Sequence, residues 1–488
     1  MEFGIIRNFI NGEWEESKSR EVHKIKNPAL NEVIAELPWS TKEEVDRAVQ
    51  AAKEAFPEWR RTTPPSRARY LFRLKELLEE NFEDLAIVQT KEVGKTIDEA
   101  RAETRRSIEA VDFTVGVPTL MMGDSLRDIA SGIDEDIIRE PLGVFASITP
   151  FNFPLFVPTM TLPFALATGN TFILKPSPED PIVTVKLFEI LEEAGFPPGV
   201  VNLVHGGPDV VNVLLDHPDI RGITFVGSTP VAKHIYRKCG ETGKRVIANG
   251  GAKNFMLVMP DANPDQTVAS LLSSFFGNAG QRCLAGSIVL MVGRDQAFIS
   301  RIIDAFVEGA SRIKVGYGLD ERVQMGPLQS KEKKERVAGL IQKGVEEGAK
   351  LLLDGRKLKI EGDYPDTCFL GPTIFDEVTP AMTIGHTEIF GPVASIMRAE
   401  DLDKALDMVH SLPFGQGACI FTSSGKWARE FECRVQAGNV GINIGIAAPM
   451  AFYPLGGMKD SFFGTLHAQG KDCIRFFTES KIVIRRWF

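Results

Sequence analysis

Hydrophobic and polar positions change their period along the chain, and the change separates an N-terminal helical part from a longer part of alternating strands and helices. Near the start, apolar residues flank Asn11-Gly12, a pair that tolerates the two positive φ angles of a type I′ turn, so residues 9–14 are predicted to form a β-hairpin. Ser40 and Glu43 are predicted to form a capping box before an amphipathic helix. Longer helical patterns cover residues 66–92 and 95–115.

From Leu142 onward, short apolar runs alternate with helical patterns. Candidate strands cover residues 143–148, 171–175, 200–205, 222–226, 245–248 and 255–259, and candidate helices cover residues 182–194, 209–215 and 230–238. This alternation predicts an α/β fold with a parallel sheet covered by helices, in which ligands bind at the carboxyl ends of the strands. A further helix over 265–276 and a strand over 287–292 leave Cys283 on the loop between them.

One long uncharged stretch, residues 141–174, is long enough to cross a bilayer. It also contains Pro141, Pro150, Pro154, Pro158 and Pro163, which would break a single spanning helix. We therefore expect buried strands and a short helix there, and no contact with a membrane.

The composition is typical of a globular protein of two or three domains. The chain has 488 residues and a net charge of −9, which argues against a broad nucleic-acid surface. Its six cysteines form no CxxC pair, and their wide spacing suits neither a metal site nor a disulfide framework. The N-terminus has no signal-peptide core, so a reducing, cytoplasmic setting is expected.

Cys283 is the first candidate for chemistry, because it ends the glycine-containing run Phe276–Cys283. A thiol is a strong nucleophile that splits a hard acyl reaction into two easier steps, and Gly277 and Gly280 let the backbone bend closely around it. The alternative is a buried, inert cysteine, which is the commoner fate of a free thiol.

Four more residues lie where the pattern places strand ends or loops, and each has an ordinary alternative. Asn152, between two prolines, is a candidate oxyanion donor or a turn asparagine. Lys175 is a candidate ligand for ribose or phosphate, or a surface lysine. Ser228 is a candidate phosphate ligand or a simple helix cap. Glu388 is a candidate ribose ligand, although locally it reads as a loop acid.

Together these blocks resemble the aldehyde dehydrogenase superfamily over nearly the whole chain, in the order of that family. The matching runs are PFNFP at 150–154, LKPS at 174–177, FVGS at 225–228, GAKN at 251–254, GQRC at 280–283 and EIFGP at 388–392. Within the superfamily the chain most resembles the CoA-acylating methylmalonate-semialdehyde dehydrogenases, on residues 120–126 and 258–263 and the GQRC run.

The resemblance implies a role for each matched residue. Cys283 is the nucleophile, and Asn152 with the Cys283 backbone N–H forms the oxyanion hole. NAD contacts are implied at Phe151, Lys175, Ser228 and Glu388. Arg106 and Arg282 match arginines that bind the substrate carboxylate.

The resemblance also implies a subunit of three parts, assembled as a homotetramer or homodimer. These parts are a Rossmann-type NAD-binding domain (1–123 and 143–254), an α/β catalytic domain (255–445) and a β oligomerisation extension (124–142 and 446–488).

Three departures from the wider superfamily bear on function. Hydrolytic members have a glutamate where Asn249 stands, and often another where Leu466 stands, to activate water. An amide cannot take that proton, so a thiol acceptor such as CoA is favoured. In the alternative interpretation, the Asn249 side chain merely forms hydrogen bonds with the backbone of the Gly250-Gly251 turn. Many NAD-using relatives have a glutamate at the position of Pro178, where it holds the adenosine ribose. Despite its absence, we expect NAD rather than NADP to be the cofactor.

The resulting hypothesis is NAD-dependent oxidation of malonate or methylmalonate semialdehyde, with transfer of the acyl group to CoA and loss of CO2. One rival is a hydrolytic enzyme that releases a free acid. Another is a non-catalytic relative that keeps only the fold.

Overall fold

The computed structural model describes residues 1–357, 359–365 and 367–488. Its α-helices are α1 (Lys42–Arg61), α2 (Pro64–Glu80), α3 (Phe82–Val93), α4 (Ile97–Thr114), α5 (Val117–Leu120), α6 (Phe156–Thr159), α7 (Leu162–Thr168), α8 (Ile182–Glu193), α9 (Pro208–Asp216), α10 (Thr229–Glu241), α11 (Pro264–Phe276), α12 (Gln296–Ser311), α13 (Lys331–Glu346), α14 (Thr383–His386), α15 (Leu402–Ser411), α16 (Gly425–Arg434) and α17 (Gly470–Phe476).

The β-strands follow the same chain order. They are β1 (Asn8–Ile10), β2 (Glu13–Glu15), β3 (Val22–Asn27), β4 (Glu32–Pro38), β5 (Ser125–Ala130), β6 (Ile133–Pro141), β7 (Val144–Ile148), β8 (Thr171–Lys175), β9 (Val201–Leu203), β10 (Ile220–Val226), β11 (Arg245–Asn249), β12 (Asn254–Val258), β13 (Gly286–Val292), β14 (Lys350–Leu353), β15 (Thr373–Asp376), β16 (Val393–Ala399), β17 (Phe414–Gly415), β18 (Gly417–Phe421), β19 (Asn439–Ile442), β20 (Met458–Lys459), β21 (Phe462–Gly464) and β22 (Thr478–Arg486).

The first large sheet has the order β2-β1-β9-β8-β7-β10-β11-β21, and its five central strands are parallel. Every residue of β7 and β8 is buried, as expected for strands covered by helices on both faces. The chain runs outward in one direction from β7 through β8 to β9, and in the other through β10 to β11. The order therefore reverses between β7 and β10, which is where such sheets bind ligands.

A second sheet, β14-β15-β16-β13-β12-β18-β19, is parallel except for its edge strand β14. A third, β22-β6-β5, is antiparallel and largely exposed. The α/β fold with parallel sheets is thus confirmed. The C-terminal residues 458–486 contribute to three sheets, because β20 pairs with β17, β21 pairs with β11 and β22 pairs with β6.

The predicted N-terminal hairpin is confirmed: Phe9 pairs with Trp14, and Asn11 and Gly12 have φ values of 55° and 82°. The helical pattern over 66–92 forms two helices, because it is interrupted at Asn81. The Asn81 side chain donates to the Leu77 carbonyl at 2.8 Å and so ends α2.

The capping box predicted at Ser40 and Glu43 is wrong by one residue. Thr41 is the N-cap of α1, its hydroxyl accepts from the Glu44 N–H at 3.3 Å, and the Glu44 carboxylate accepts from the Thr41 N–H at 2.9 Å. Ser40 donates instead to the Asn8 side chain at 2.8 Å. Because Ser40 is bound to the buried Asn8 of β1, the adjacent Thr41 caps the helix.

The uncharged stretch from Pro141 to Leu174 forms β7, α6, α7 and β8 around a buried core. In the part of the chain that the structure describes, helices of the length and apolarity needed to cross a bilayer are absent.

Candidate active site

The carboxyl ends of the central strands bring the first set of predicted residues to one edge of the sheet. Ile148 pairs with both Lys175 and Phe225, and Val226 pairs with Asn249. Because Asn152 and Ser228 follow directly after two of these strands, they lie at the same edge. Residues distant in sequence thus meet where the strand order reverses.

A cavity of about 1000 Å³ opens at this edge and extends to the loop before β13. All nine predicted site residues line it: Arg106, Phe151, Asn152, Lys175, Ser228, Asn249, Arg282, Cys283 and Glu388. Its volume is at the upper end of the range for ligand pockets, as an extended cofactor together with a substrate would need.

Cys283 lies on a tightly bent loop. After α11, the turn Gly277–Gly280 includes Asn278 and Ala279 at φ values of 50° and 49°, in the left-handed region that non-glycine residues rarely occupy. A Cβ on Gly280 would lie 2.2 Å from the Gly391 carbonyl oxygen, so only glycine fits this close approach.

Burial raises the pKa of the Cys283 thiol to about 11, although backbone N–H groups of Cys283 and Leu284 bond the sulfur and lower it. The thiol of the resting protein is therefore protonated at neutral pH. Its attack on a carbonyl carbon must be coupled to loss of that proton.

Asn152 links the loop after β7 to the cysteine loop. Its amide Nδ2 donates to the Gln281 carbonyl at 2.8 Å, and its own backbone carbonyl accepts from the buried ammonium of Lys95 at 2.9 Å. Nδ2 carries two hydrogens, so a second one remains for an oxygen that develops charge near Cys283.

Asn249 is 6% exposed, and neither atom of its amide has a hydrogen-bond partner among the residues described. The alternative in which this side chain satisfies the backbone of its own turn is therefore not the arrangement found. Buried amides are nearly always bonded, so one without partners that lines a cavity is suited to bind a ligand or water.

Lys175 and Ser228 line the cavity where the parallel strands end. Lys175 is 4% exposed, donates to the Gly206 carbonyl at 3.1 Å, and has its pKa lowered to about 8 by burial. It is not a surface lysine. Ser228 precedes α10 but makes no side-chain capping bond, so its hydroxyl and the helix N-terminus are free to meet an anion. These groups fit the ribose and phosphates of a dinucleotide.

Glu388 and Phe151 line the same cavity. The Glu388 carboxylate accepts from the Ala252 N–H at 2.9 Å, and burial raises the pKa of this carboxyl. The Phe151 ring lies 5.9 Å from the Phe390 ring and 4.3 Å from the Lys333 ammonium. Lys333 was not predicted, because its position in the sequence gives it no local motif.

Lys253 is a second residue that the sequence did not single out, although it belongs to the GAKN block. Its amine has no partner among the described residues, and burial lowers its pKa to about 7. It lines a small cavity that also includes Cys283 and Glu388.

The two predicted carboxylate-binding arginines are already engaged. Arg282 pairs with Glu99 at 2.9 Å. Arg106 pairs with Glu109 at 3.3 Å and donates to the Pro449 carbonyl. Both also line the cavity, so a substrate carboxylate would have to share their guanidinium groups with these partners.

Comparisons with known proteins agree with this geometry. The model of the aldehyde dehydrogenase family matches residues 14–483. Malonate-semialdehyde dehydrogenase 1 of Geobacillus kaustophilus is 49% identical over 99% of this chain and 98% of its own length. Malonate-semialdehyde dehydrogenase 2 of Bacillus mycoides is 47% identical over 99% of both chains.

Solved structures give the same result. A protein of Sinorhizobium meliloti 1021, assigned as methylmalonate-semialdehyde dehydrogenase and crystallised with NAD, has a TM-score of 0.97 and 41% identity over 99% of this chain and 98% of its own. The methylmalonate-semialdehyde dehydrogenase of Oceanimonas doudoroffii has a TM-score of 0.97 and 40% identity over the same shares. The chain therefore belongs to the aldehyde dehydrogenase family and is an enzyme that oxidises a small aldehyde.

Proposed function

We propose that this enzyme oxidises malonate or methylmalonate semialdehyde with NAD and transfers the acyl group to CoA, with loss of CO2, giving acetyl-CoA or propionyl-CoA. The observation that carries the CoA step is Asn249, an amide without partners that lines the cavity where hydrolytic relatives have a carboxylate. The substrate follows the names of relatives at 47–49% identity, and NAD follows the complex of a structural neighbour.

In the first half of the reaction, the Cys283 sulfur attacks the aldehyde carbon and the thiol proton passes to solvent water. The amide of Asn152 and the Cys283 N–H donate to the resulting alkoxide; such donors typically contribute a factor of about 10²–10³ each. NAD, when bound, supplies the hydride acceptor. Loss of hydride from the substrate carbon leaves a thioester on Cys283. The bond between its α-carbon and the substrate carboxylate then breaks, CO2 leaves, and the α-carbon takes up a proton, so that an acetyl or propionyl thioester remains.

In the second half, the thioester must be released. An amide at position 249 cannot remove a proton from water, so hydrolysis lacks its general base. A thiol is a better nucleophile than water at neutral pH, and attack by the CoA thiol transfers the acyl group and restores the Cys283 thiol. Arg106 and Arg282 would hold the substrate carboxylate through paired hydrogen bonds.

Lys175, Ser228, Phe151 and Glu388 would hold the cofactor. Pro178 and Lys175 both line the cavity; Pro178 offers no carboxylate, whereas Lys175 offers a cation. NAD is favoured over NADP because the related structure from Sinorhizobium meliloti contains NAD.

The proposal includes three parts of the subunit and their assembly. The boundaries are 1–123 with 143–254 for the cofactor domain, 255–445 for the catalytic domain, and 124–142 with 446–488 for the oligomerisation extension. Apolar side chains on the third sheet support assembly through that extension, since Leu126, Ile482 and Ile484 are each more than half exposed. A homotetramer or homodimer in the cytoplasm is proposed.

Stopped-flow measurement of NADH formation, with and without CoA, tests the proposal. Without CoA we expect a burst of about one NADH per active site and then slow turnover; CoA should restore fast turnover and yield an acyl-CoA detectable by mass spectrometry. The Cys283→Ala variant provides the blank. Fast turnover that ignores CoA, with free acid as product, would establish the hydrolytic rival instead.

A further inference from the structure

One face of α4 points three charged side chains into the active-site cavity. Glu99, Glu103 and Arg106 are spaced by four and three residues, which places them on the same side of a helix, and all three line the cavity. Lys95 lies just before the helix and pairs with Glu103. The proposed mechanism uses Arg106 alone, which leaves the two glutamates and the lysine without an assigned role.

The Lys95–Glu103 ion pair is fully buried, with side-chain exposures of 1% and 0%. Its remaining hydrogen-bonding capacity is directed at the loop that carries Asn152. The Lys95 ammonium donates to the Asn152 carbonyl at 2.9 Å, and Glu103 Oε1 accepts from the N–H groups of Leu155 and Phe156, both at 2.9 Å. The pair thus holds the backbone of residues 152–156 at two points.

Glu99, one turn earlier, holds the cysteine loop in the same way. Its carboxylate accepts from the Asn278 N–H at 2.6 Å and from the Arg282 guanidinium at 2.9 Å. Asn278 has a positive φ, and a non-glycine residue stays in that conformation only where its surroundings fix it. The two loops are joined by the bond from the Asn152 amide to the Gln281 carbonyl.

We propose that Lys95 and Glu103 are positioning residues that hold the amide of Asn152 at the distance from Cys283 that alkoxide stabilisation requires. The inference rests on the proposed role of Asn152 in aldehyde oxidation. Donors to a developing charge act only when held within about 0.5 Å of the productive geometry. With its backbone carbonyl bound by Lys95, Asn152 keeps little freedom except rotation of its side chain.

If the ion pair only stabilised the fold, a variant that stays folded without it would keep the wild-type burst rate constant. Replacing both members of a buried ion pair by well-packed hydrophobic residues of similar volume is often neutral or stabilising. The paired substitution Lys95→Met with Glu103→Gln removes both charges, and glutamine still accepts from Leu155 and Phe156. It should therefore leave the fold intact but release the Asn152 carbonyl.

The test is a double-mutant cycle on the rate constant of the NADH burst, measured without CoA so that the identity of the acyl acceptor does not enter. We expect the paired substitution to lower this rate constant about 10- to 100-fold, with KM for NAD changed less than about twofold. In an Asn152→Ala background the same pair should lower it less than about threefold, because the residue it positions is gone. Lys91→Met, which removes a partly exposed lysine in the last turn of α3, is the matched control.

A burst rate constant within twofold of wild type in the folded paired variant would overturn the inference. So would a loss of the same size in the Asn152→Ala background, since independent effects multiply. If thermal melting shows the paired variant unfolded, Lys95→Arg takes its place. Arginine retains the positive charge but has a different length, so Lys95→Arg should lower the burst rate constant by a smaller factor. That decrease should disappear in the Asn152→Ala background. A decrease that persists there would refute the positioning role of Lys95.

Discussion

Asn249→Glu is the substitution that most directly tests how the acyl group leaves the enzyme. It introduces a carboxylate at a position where the native amide is buried and has no hydrogen-bond partner among the described residues. A general base typically accelerates a reaction 10²- to 10⁴-fold when it is ionised. The expected gain therefore depends on how much of the new carboxyl is ionised at the assay pH.

Glu92 is a buried carboxyl of this chain with which the new side chain can be compared. It is buried, accepts from the N–H groups of Ile182 and Val183, and still has its pKa raised to about 8 by burial. A carboxyl with that pKa is about one-tenth ionised at pH 7. The CoA-independent phase should then accelerate about 10- to 1000-fold at pH 7.

The pH dependence has a definite sign. Because the carboxylate is the active form and its pKa is raised, the CoA-independent rate of Asn249→Glu should increase with pH, up to about tenfold per unit, and level off above pH 8. Stopped-flow NADH traces from pH 6 to 9, with mass spectrometry of the free acid, measure this. Asn249→Gln is the control, since a longer amide still cannot take a proton.

Three results would refute this explanation. One is an Asn249→Glu variant that still shows the NADH burst but has the same CoA-independent rate as the wild type at every pH. Another is an equal gain from Asn249→Gln. The third is a wild-type rate without CoA that already equals the rate with it.

The remaining predictions concern the nucleophile, the substrate and the cofactor. Cys283→Ala should abolish aldehyde oxidation yet bind NAD with nearly unchanged affinity in a fluorescence titration; turnover near wild type would contradict the covalent step. Arg106→Leu or Arg282→Leu should raise KM for a semialdehyde acid about tenfold or more while changing KM for propanal little, and equal effects would point to purely structural ion pairs with Glu109 and Glu99. Because burial lowers the pKa of Lys175 to about 8, KM for NAD should rise as the pH passes through 8 and the ammonium loses its charge. In Lys175→Met, KM for NAD should be high and independent of pH. An identical pH profile of KM in the wild type and the variant would exclude a role of Lys175 in NAD binding.

The parts of the fold that the sequence predicted well are those fixed by local interactions. The Asn11-Gly12 turn and the uninterrupted apolar runs of β7 and β8 depend on neighbours along the chain. Where two adjacent residues could serve equally, as at Ser40 and Thr41, the choice depended on Asn8 in another strand. Local chemistry alone could not decide it.

The active site divides in the same way. The cysteine loop and the loop containing Asn152 were recognisable because each lies in a short run of residues. Glu99 contacts Arg282 across 183 positions, and Lys95 contacts Asn152 across 57, so nothing in either neighbourhood indicated the pairing. The unbonded state of Asn249 is a property of the packed cavity, which a sequence pattern does not describe.

The arrangement on α4 makes the site sensitive to the length of that helix as well as to the residues on its inner face. Each residue advances a helix by about 100°, so inserting or deleting one residue between Lys95 and Glu99 would turn Glu99, Glu103 and Arg106 away from the cavity together. Substitutions on the solvent side, such as at Arg105, leave this face unchanged. Relatives that share this site are therefore expected to vary on the outer side of the segment from Lys95 to Arg106 while keeping its length.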